Sequence, residues 1–336
     1  MKCHFAVLLA GLLATTAFAA ETALPDLTSF VLVRNDTRVQ VSVAEAADIL
    51  KDYDVIFLGE AHEHPGNHLA QMELFRAIYN RAPNLALSME QFERDTQPAL
   101  DNYLAGKIGE NPFTRETRAW SNYTTSYRPL IEFAKEHKLP VIAANAPGSA
   151  VRCIGMEGEA FLARMKPEQR GWVAAELHTG EGAYRDKFLG FVGSDAGHGG
   201  DGKDDTGKPR KAPSEQALKS FAAQVSRDDT MAESIAQHLA KNPGRKVIHT
   251  NGSFHSASFL GTVERLQMRM PNLKIAVVNP EPVSKPDDLK VSDKLAAVGT
   301  FTLLVRELPD NYATEEEMNT AIKRQMEARK KSVCEL

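Results

Sequence analysis

Short apolar runs alternate along this chain with stretches whose apolar residues recur every three or four positions. The runs predict strands at Phe30–Val33, Val39–Val43, Val55–Leu58, Leu85–Met89, Val141–Ala144, Lys246–Thr250, Lys274–Val278 and Thr300–Val305. Helical periodicity falls between several of them, as in HLAQMELFRAIYNRA (68–82) and YRPLIEFAKEHK (127–138). In the second, Leu130, Phe133 and Ala134 share a face, and Pro140 stops the helix before the next strand. Continuous apolar strands separated by helices imply a mostly parallel central sheet covered on both faces. The opening VLVRNDTRVQVSV differs, with two β-runs around Asn35-Asp36 that predict a small hairpin at the sheet edge.

Three stretches break the pattern. Residues 193–213 are rich in glycine and charge, which predicts a mobile loop inside one α/β domain spanning 20–280. PEPVSKPDDLK (280–290) reads as a link to a C-terminal strand and helix, 281–336, packed on the same domain. The stripe of Met318, Ile322 and Met326 is expected to face the body. The first 19 residues have a basic start, an apolar centre and an Ala-Phe-Ala cleavage site, the anatomy of a signal peptide. A periplasmic or secreted protein follows, with no integral membrane segment after cleavage. Cys3 is wrongly flanked for lipid attachment, and Cys153 and Cys334 remain to pair or stay free. A formal charge of −4 gives no electrostatic reason to expect nucleic acid as a partner.

Candidate chemistry gathers where the strands end, as expected for an open α/β sheet. Gly59-Glu60-Ala61-His62 follows one strand, Glu90 another, and Asn251-Gly252-Ser253-Phe254-His255 a third. Two G-x-x-H motifs each place a glycine at the turn off a strand and a histidine three residues on. With Glu60 and Glu90, His62 and His255 are candidates for acid–base catalysis. The same four are candidates for binding zinc or a similar divalent ion. His64 and His68 are further candidates, although Pro65-Gly66 excludes the zinc-protease H-E-x-x-H helix here. A salt bridge to Arg94 is the bland alternative for Glu90. His178 and His238 are expected on helices, and His249 inside a strand.

The run GEAHEHPGNHLAQMELFRAIYNRAPNLALSMEQFERDTQPALDNYLAG (59–106) resembles the ChaN family of haem-binding uptake proteins. So do YRPLIEFAKEHKLPVIAANAP (127–147), AQVSRDDTMAESIAQHL (223–239) and NGSFHSASFLGTVERL (251–266). That family belongs to a wider group with the Tiki and TraB proteases and the erythromycin esterases. The resemblance implies haem as ligand, iron acquisition as role, and a homodimer enclosing paired haems. Candidate haem contacts are then His62, His64, His68, Tyr123, Tyr127 and His255, with a tyrosine phenolate able to hold ferric iron. The hydrolytic relatives imply an alternative, a hydrolase using Glu60, His62, Glu90 and His255, with or without zinc, manganese or cobalt.

Overall fold

The computed structural model describes residues 23–192, 212–330 and 333–334. The signal segment and nearly all of the 193–213 loop lie outside the described residues. Eight strands form one sheet: β1 (Phe30–Arg34), β2 (Val39–Val41), β3 (Val55–Glu60), β4 (Leu85–Glu93), β5 (Val141–Asn145), β6 (Lys246–Gly252), β7 (Ile275–Val283) and β8 (Phe301–Arg306). Their order is β2-β1-β8-β7-β3-β6-β4-β5. β1 pairs antiparallel with both β2 and β8, and the remaining pairs are parallel. The sheet and its edge hairpin thus match the expected fold class.

Both faces of the sheet are covered. On one lie α1 (Val43–Leu50), α2 (Pro65–Tyr79), α3 (Gln97–Leu104), α4 (Glu110–Glu116) and α5 (Arg128–Glu136). Ile56 and Leu58 of β3 pack there with Leu74, Phe75, Leu130 and Ile131. After α6 (Gly148–Glu157), α7 (Pro167–Arg170) and α8 (Ala183–Val192), the long α9 (Glu215–Lys241) and α10 (Thr262–Arg269) cover the other face. Val55 and Phe57 pack there with Ala232, Ile235, Val263 and Leu266. Each central strand is buried on alternate residues by different helices, which is why it reads as an unbroken apolar run.

The strands run further than their apolar residues suggest. β3 and β4 continue through Glu60 and Glu93, so both candidate acids lie within strands. The 280–290 segment is likewise not a simple link, because Pro280 and Pro282 belong to β7 and pair with Leu303 and Val305. Beyond Val278, β7 no longer pairs with β3, and the Pro280 ring lies against Gly59 where no ladder calls for an amide donor. Val43 begins α1 behind a Ser42 capping box instead of closing β2. After the short α11 (Asp293–Ala296) and β8 comes α12 (Glu315–Lys330). Met318 and Ile322, expected to face the body, are 39% and 41% exposed, and the side chain of Met326 lies outside the described residues. The tail is fastened by a disulfide between Cys153 on α6 and Cys334. No helix among the described residues is long and apolar enough to cross a membrane.

Candidate functional site

The site is built at the carboxyl ends of β3, β4 and β6 from two half-sites, one per face of the sheet. The first centres on Glu60. Its buried carboxylate accepts hydrogen bonds at Oε1 from Tyr127 Oη (2.8 Å), Gln91 Nε2 (3.1 Å) and His62 Nδ1 (2.9 Å). At Oε2 it accepts from Gln71 Nε2 at 3.1 Å, with His68 Nδ1 at 3.6 Å. The beginning of α2 is polar yet buried because it serves the end of β3. Asn67 and Gln71 donate to the carbonyls of Gly59 and Leu58, as buried backbone groups demand. Tyr127 closes a π-helical turn, Tyr123–Tyr127, ahead of α5, which brings its hydroxyl to the strand end.

His62 sits at the rim. Its side chain is 51% exposed, Nδ1 is fixed on Glu60, and the Trp120 ring lies 5.5 Å away. The hydrogen bond to Glu60 raises its pKa against the opposing effect of burial. With Nδ1–H donating to the carboxylate, Nε2 lies over Gly252 at the end of β6 and makes no hydrogen bond among the described residues.

The second half-site centres on His255, in the short turn after β6. Its Nδ1 donates to Asp228 Oδ1 at 2.7 Å, and its Nε2 lies 3.3 Å from Glu90 Oε1. Glu90 Oε2 accepts from the Gly252 amide at 2.6 Å. Asp228 also accepts from Tyr184 Oη at 2.6 Å and Thr262 Oγ1 at 2.8 Å. Burial would push His255 down, but the charges of Glu90 and Asp228 outweigh it and raise it to about 10. Burial likewise pushes Glu90 up, and the His255 imidazolium overcomes this, leaving the carboxyl at about 2. The pair is therefore ionised across the neutral range.

Gly252 joins the halves. A β-carbon there would lie 2.7 Å from His62 Nε2 and 3.7 Å from Glu90 Oε2. His62, Glu60, Glu90 and His255 thus meet at one place, although their segments are far apart in sequence.

The other candidates are placed differently. His64 is the N-cap of α2, fully buried, accepting from the Asn67 amide at Nδ1 and placing Nε2 2.6 Å from the Arg306 carbonyl. Both of its nitrogens are therefore engaged away from the rim. His68 is buried beneath Tyr127, ring centroids 5.1 Å apart, with Nε2 unpartnered. Tyr123 is buried among Phe92 and Phe113, and its hydroxyl has no partner. Burial drives the Tyr123 hydroxyl far above its ordinary pKa; for Tyr127, burial and then the Glu60 charge do the same. Both phenols are held protonated. Arg94 does not pair with Glu90; it binds Glu233 and Ser234 on α9. His178 lies in a loop rather than a helix and bonds Asp229. His249 is a core residue on Ser88, pushed down to about 3 by burial.

No group of three or more His, Cys, Asp or Glu side chains among the described residues could hold a metal ion. The zinc, manganese or cobalt alternative therefore finds no support. The acids that would ligate are already saturated by hydrogen bonds from Tyr127, Gln91, Gln71, the Gly252 amide and the histidines. A haem needs less from the protein, since one imidazole nitrogen suffices on a side of the iron. His62 Nε2 fits that requirement, and the neighbouring Trp120 indole offers an apolar face.

An α/β fold with this pair of G-x-x-H half-sites defines a class, and the comparisons with known proteins say which. Residues 46–266, more than half of the chain, match the family described as haem-binding uptake, Tiki superfamily, ChaN. The chain belongs to that family. Among solved structures it is similar to ChaN of Campylobacter jejuni, a structure of cofacial heme binding. The two share 17% identity over 83% of this chain and 97% of that one, with a TM-score of 0.57. It is also similar to the erythromycin esterase EreC, at 13% identity over 88% and 87% of the chains and a TM-score of 0.43. RRSP, a MARTX toxin effector domain from Vibrio vulnificus, matches at 16% identity over 83% of this chain and 41% of that one, TM-score 0.38. No curated protein sequence matches the chain.

Proposed function

We propose that this is an exported haem-binding protein that takes part in haem or iron acquisition, with His62 as its iron-facing residue. Family membership supports the ligand class. The observation that carries the reading is the state of His62: Nδ1 is tied to buried Glu60, Nε2 above Gly252 is left without a hydrogen-bond partner among the described residues, and the ring lies half exposed beside Trp120. Glu60, Gln91, Gln71 and Tyr127 orient that ring, and His255 with Glu90 supplies fixed charge at its side. The haem iron would supply the acceptor for one imidazole nitrogen. An open rim leaves the outer face of a macrocycle in water, so a second copy of the chain facing the first is the expected arrangement. The Cys153–Cys334 bond supports export, since such bonds persist in oxidising compartments.

Titration with hemin is expected to give a saturable, shifted Soret band, and His62→Ala to weaken it by about 10-fold or more. Absence of any saturable band at micromolar protein would sink the reading. The Glu60–His62 pair also favours a second reading, metal-free hydrolysis, because a carboxylate on Nδ1 and a free Nε2 is the geometry of a general base. Turnover of an ester or peptide panel that survives chelator and disappears in His62→Ala would support it.

A further inference from the structure

One face of α8 is devoted to the turn that carries His255. Tyr184, Lys187, Phe188 and Phe191 recur at helical spacing. Tyr184 donates to Asp228 at 2.6 Å, while Lys187 Nζ donates to the carbonyls of Phe254 (3.1 Å) and Ala257 (3.3 Å). The rings of Phe188 and Phe191 lie 6.3 and 5.4 Å from Phe254. From the other side, Thr262 donates to the same Asp228 oxygen that receives His255. Gly261 lets this happen: at φ +61°, a β-carbon there would lie 2.5 Å from the His255 carbonyl oxygen and 3.1 Å from Asp228 Oδ1. Asp228 is fully buried in mid-helix, and its hydrogen bonds all converge on holding one imidazole.

We propose that Asp228, braced by Tyr184 and Thr262, is the positioning residue of His255. It holds this histidine as a two-proton donor aimed at Glu90, so that His62 alone of the two G-x-x-H histidines offers a nitrogen to a ligand. The identity of that ligand rests on the haem reading; the positioning does not. The charged and titratable groups around His255 are Glu90 from β4, Asp228 from α9, Tyr184 and Lys187 from α8, His249 from β6, and His62. Two carboxylates, one on each nitrogen, dominate that set. An imidazole so held cannot turn to present a lone pair to iron.

The test is long-range proton–nitrogen NMR of the full chain labelled at histidine, without hemin, with His255 assigned through His255→Gln. In the native protein both His255 nitrogens should carry protons at pH 8. Asp228→Asn should lower the His255 midpoint by about one pH unit or more, and Tyr184→Phe should move it the same way by less. A parallel hemin titration of the native protein tests the haem reading separately. A folded Asp228→Asn protein with unchanged His255 signals and midpoint would overturn the proposal. Should that variant fail to fold, Tyr184→Phe and Thr262→Val decide: no change at His255 in either overturns it as well. If His255 responds as stated but the native protein takes up no hemin, the haem reading fails and the positioning role stands.

Discussion

Gly252→Ala separates the site from the fold. The backbone at Gly252, φ −54° and ψ 133°, is open to any residue, so alanine introduces no backbone strain. The new methyl would lie 2.7 Å from His62 Nε2, and the ring must retreat by about 0.7 Å to reach an ordinary contact of 3.4 Å. His62 is half exposed and can move cheaply, but its 2.9 Å bond to Glu60 is stretched as it does. Stability should stay within about 1 kcal/mol of the native protein, because the methyl also lowers the entropy of the unfolded chain. Hemin affinity should fall about 10-fold or more, as when a ligand loses its orienting partner. Gly261→Ala is the contrast: there the clash is with backbone oxygen at 2.5 Å and φ is +61°, so a loss of about 1–3 kcal/mol is expected. Urea denaturation and hemin titration on the same preparations check both. Native hemin affinity in Gly252→Ala would refute the placement of His62 at the ligand.

The same geometry sets three further outcomes. His64→Ala removes a helix cap and strands the Arg306 carbonyl, so stability should fall by about 1–3 kcal/mol with hemin affinity unchanged; weaker hemin binding at equal folding would return His64 to the site. Cys153→Ser should cost about 2–4 kcal/mol, and reductant should cost the native protein the same while leaving the variant unaffected, which melts with and without reductant will show. Stability should be greatest between about pH 4.5 and 6.5. His255, raised from 6.5 to about 10, contributes fully below 6.5 and loses its contribution as pH rises through 10, whereas Glu90, lowered from 4.5 to about 2, contributes fully above 4.5 and loses it as pH falls through 2. Denaturant midpoints from pH 2 to 10 test this, and His255→Gln should flatten the alkaline limb.

All eight strands were legible in the sequence, and their ends were not. Apolar content marks β3 up to Leu58 and β4 up to Met89, but pairing carries them on, with Gly59 opposite Asn251 and Glu60 opposite Gly252. A carboxylate stays in a strand at that depth only because Tyr127, Gln71 and Gln91 satisfy it, and of these only Gln71, on the next helix, is near it in sequence. The two G-x-x-H motifs and the acids beside them pointed to Glu60, His62, Glu90 and His255, and the fold brings these four candidates together. Asp228 was missed, although a signal existed. It falls with Val225, Ala232, Ile235 and Leu239 on the buried stripe of α9, where an unpaired carboxylate would be costly, so its position alone calls for a partner.

What the sequence could not supply is strand order, because the central strands are equally apolar. The chain runs β3, β4, β5 in one direction across the sheet, leaving a gap between β3 and β4, then returns through β6, which fills the gap, to β7 and β8. Right-handed crossovers put the helices of the outward journey on one face and those of the return on the other, as the two core clusters show. The reversal makes a switch point at the end of β6. Glu60 and His62 arrive there with support from α2 and the turn before α5, and His255 arrives with support from α8, α9 and α10. Gly252, at the end of the strand inserted last, is where neither half can spare room for a side chain. A site whose two histidines are held from opposite faces responds to changes on either side of the sheet. Substitutions as far apart in sequence as Tyr127 and Tyr184 should therefore converge on one spectroscopic signature.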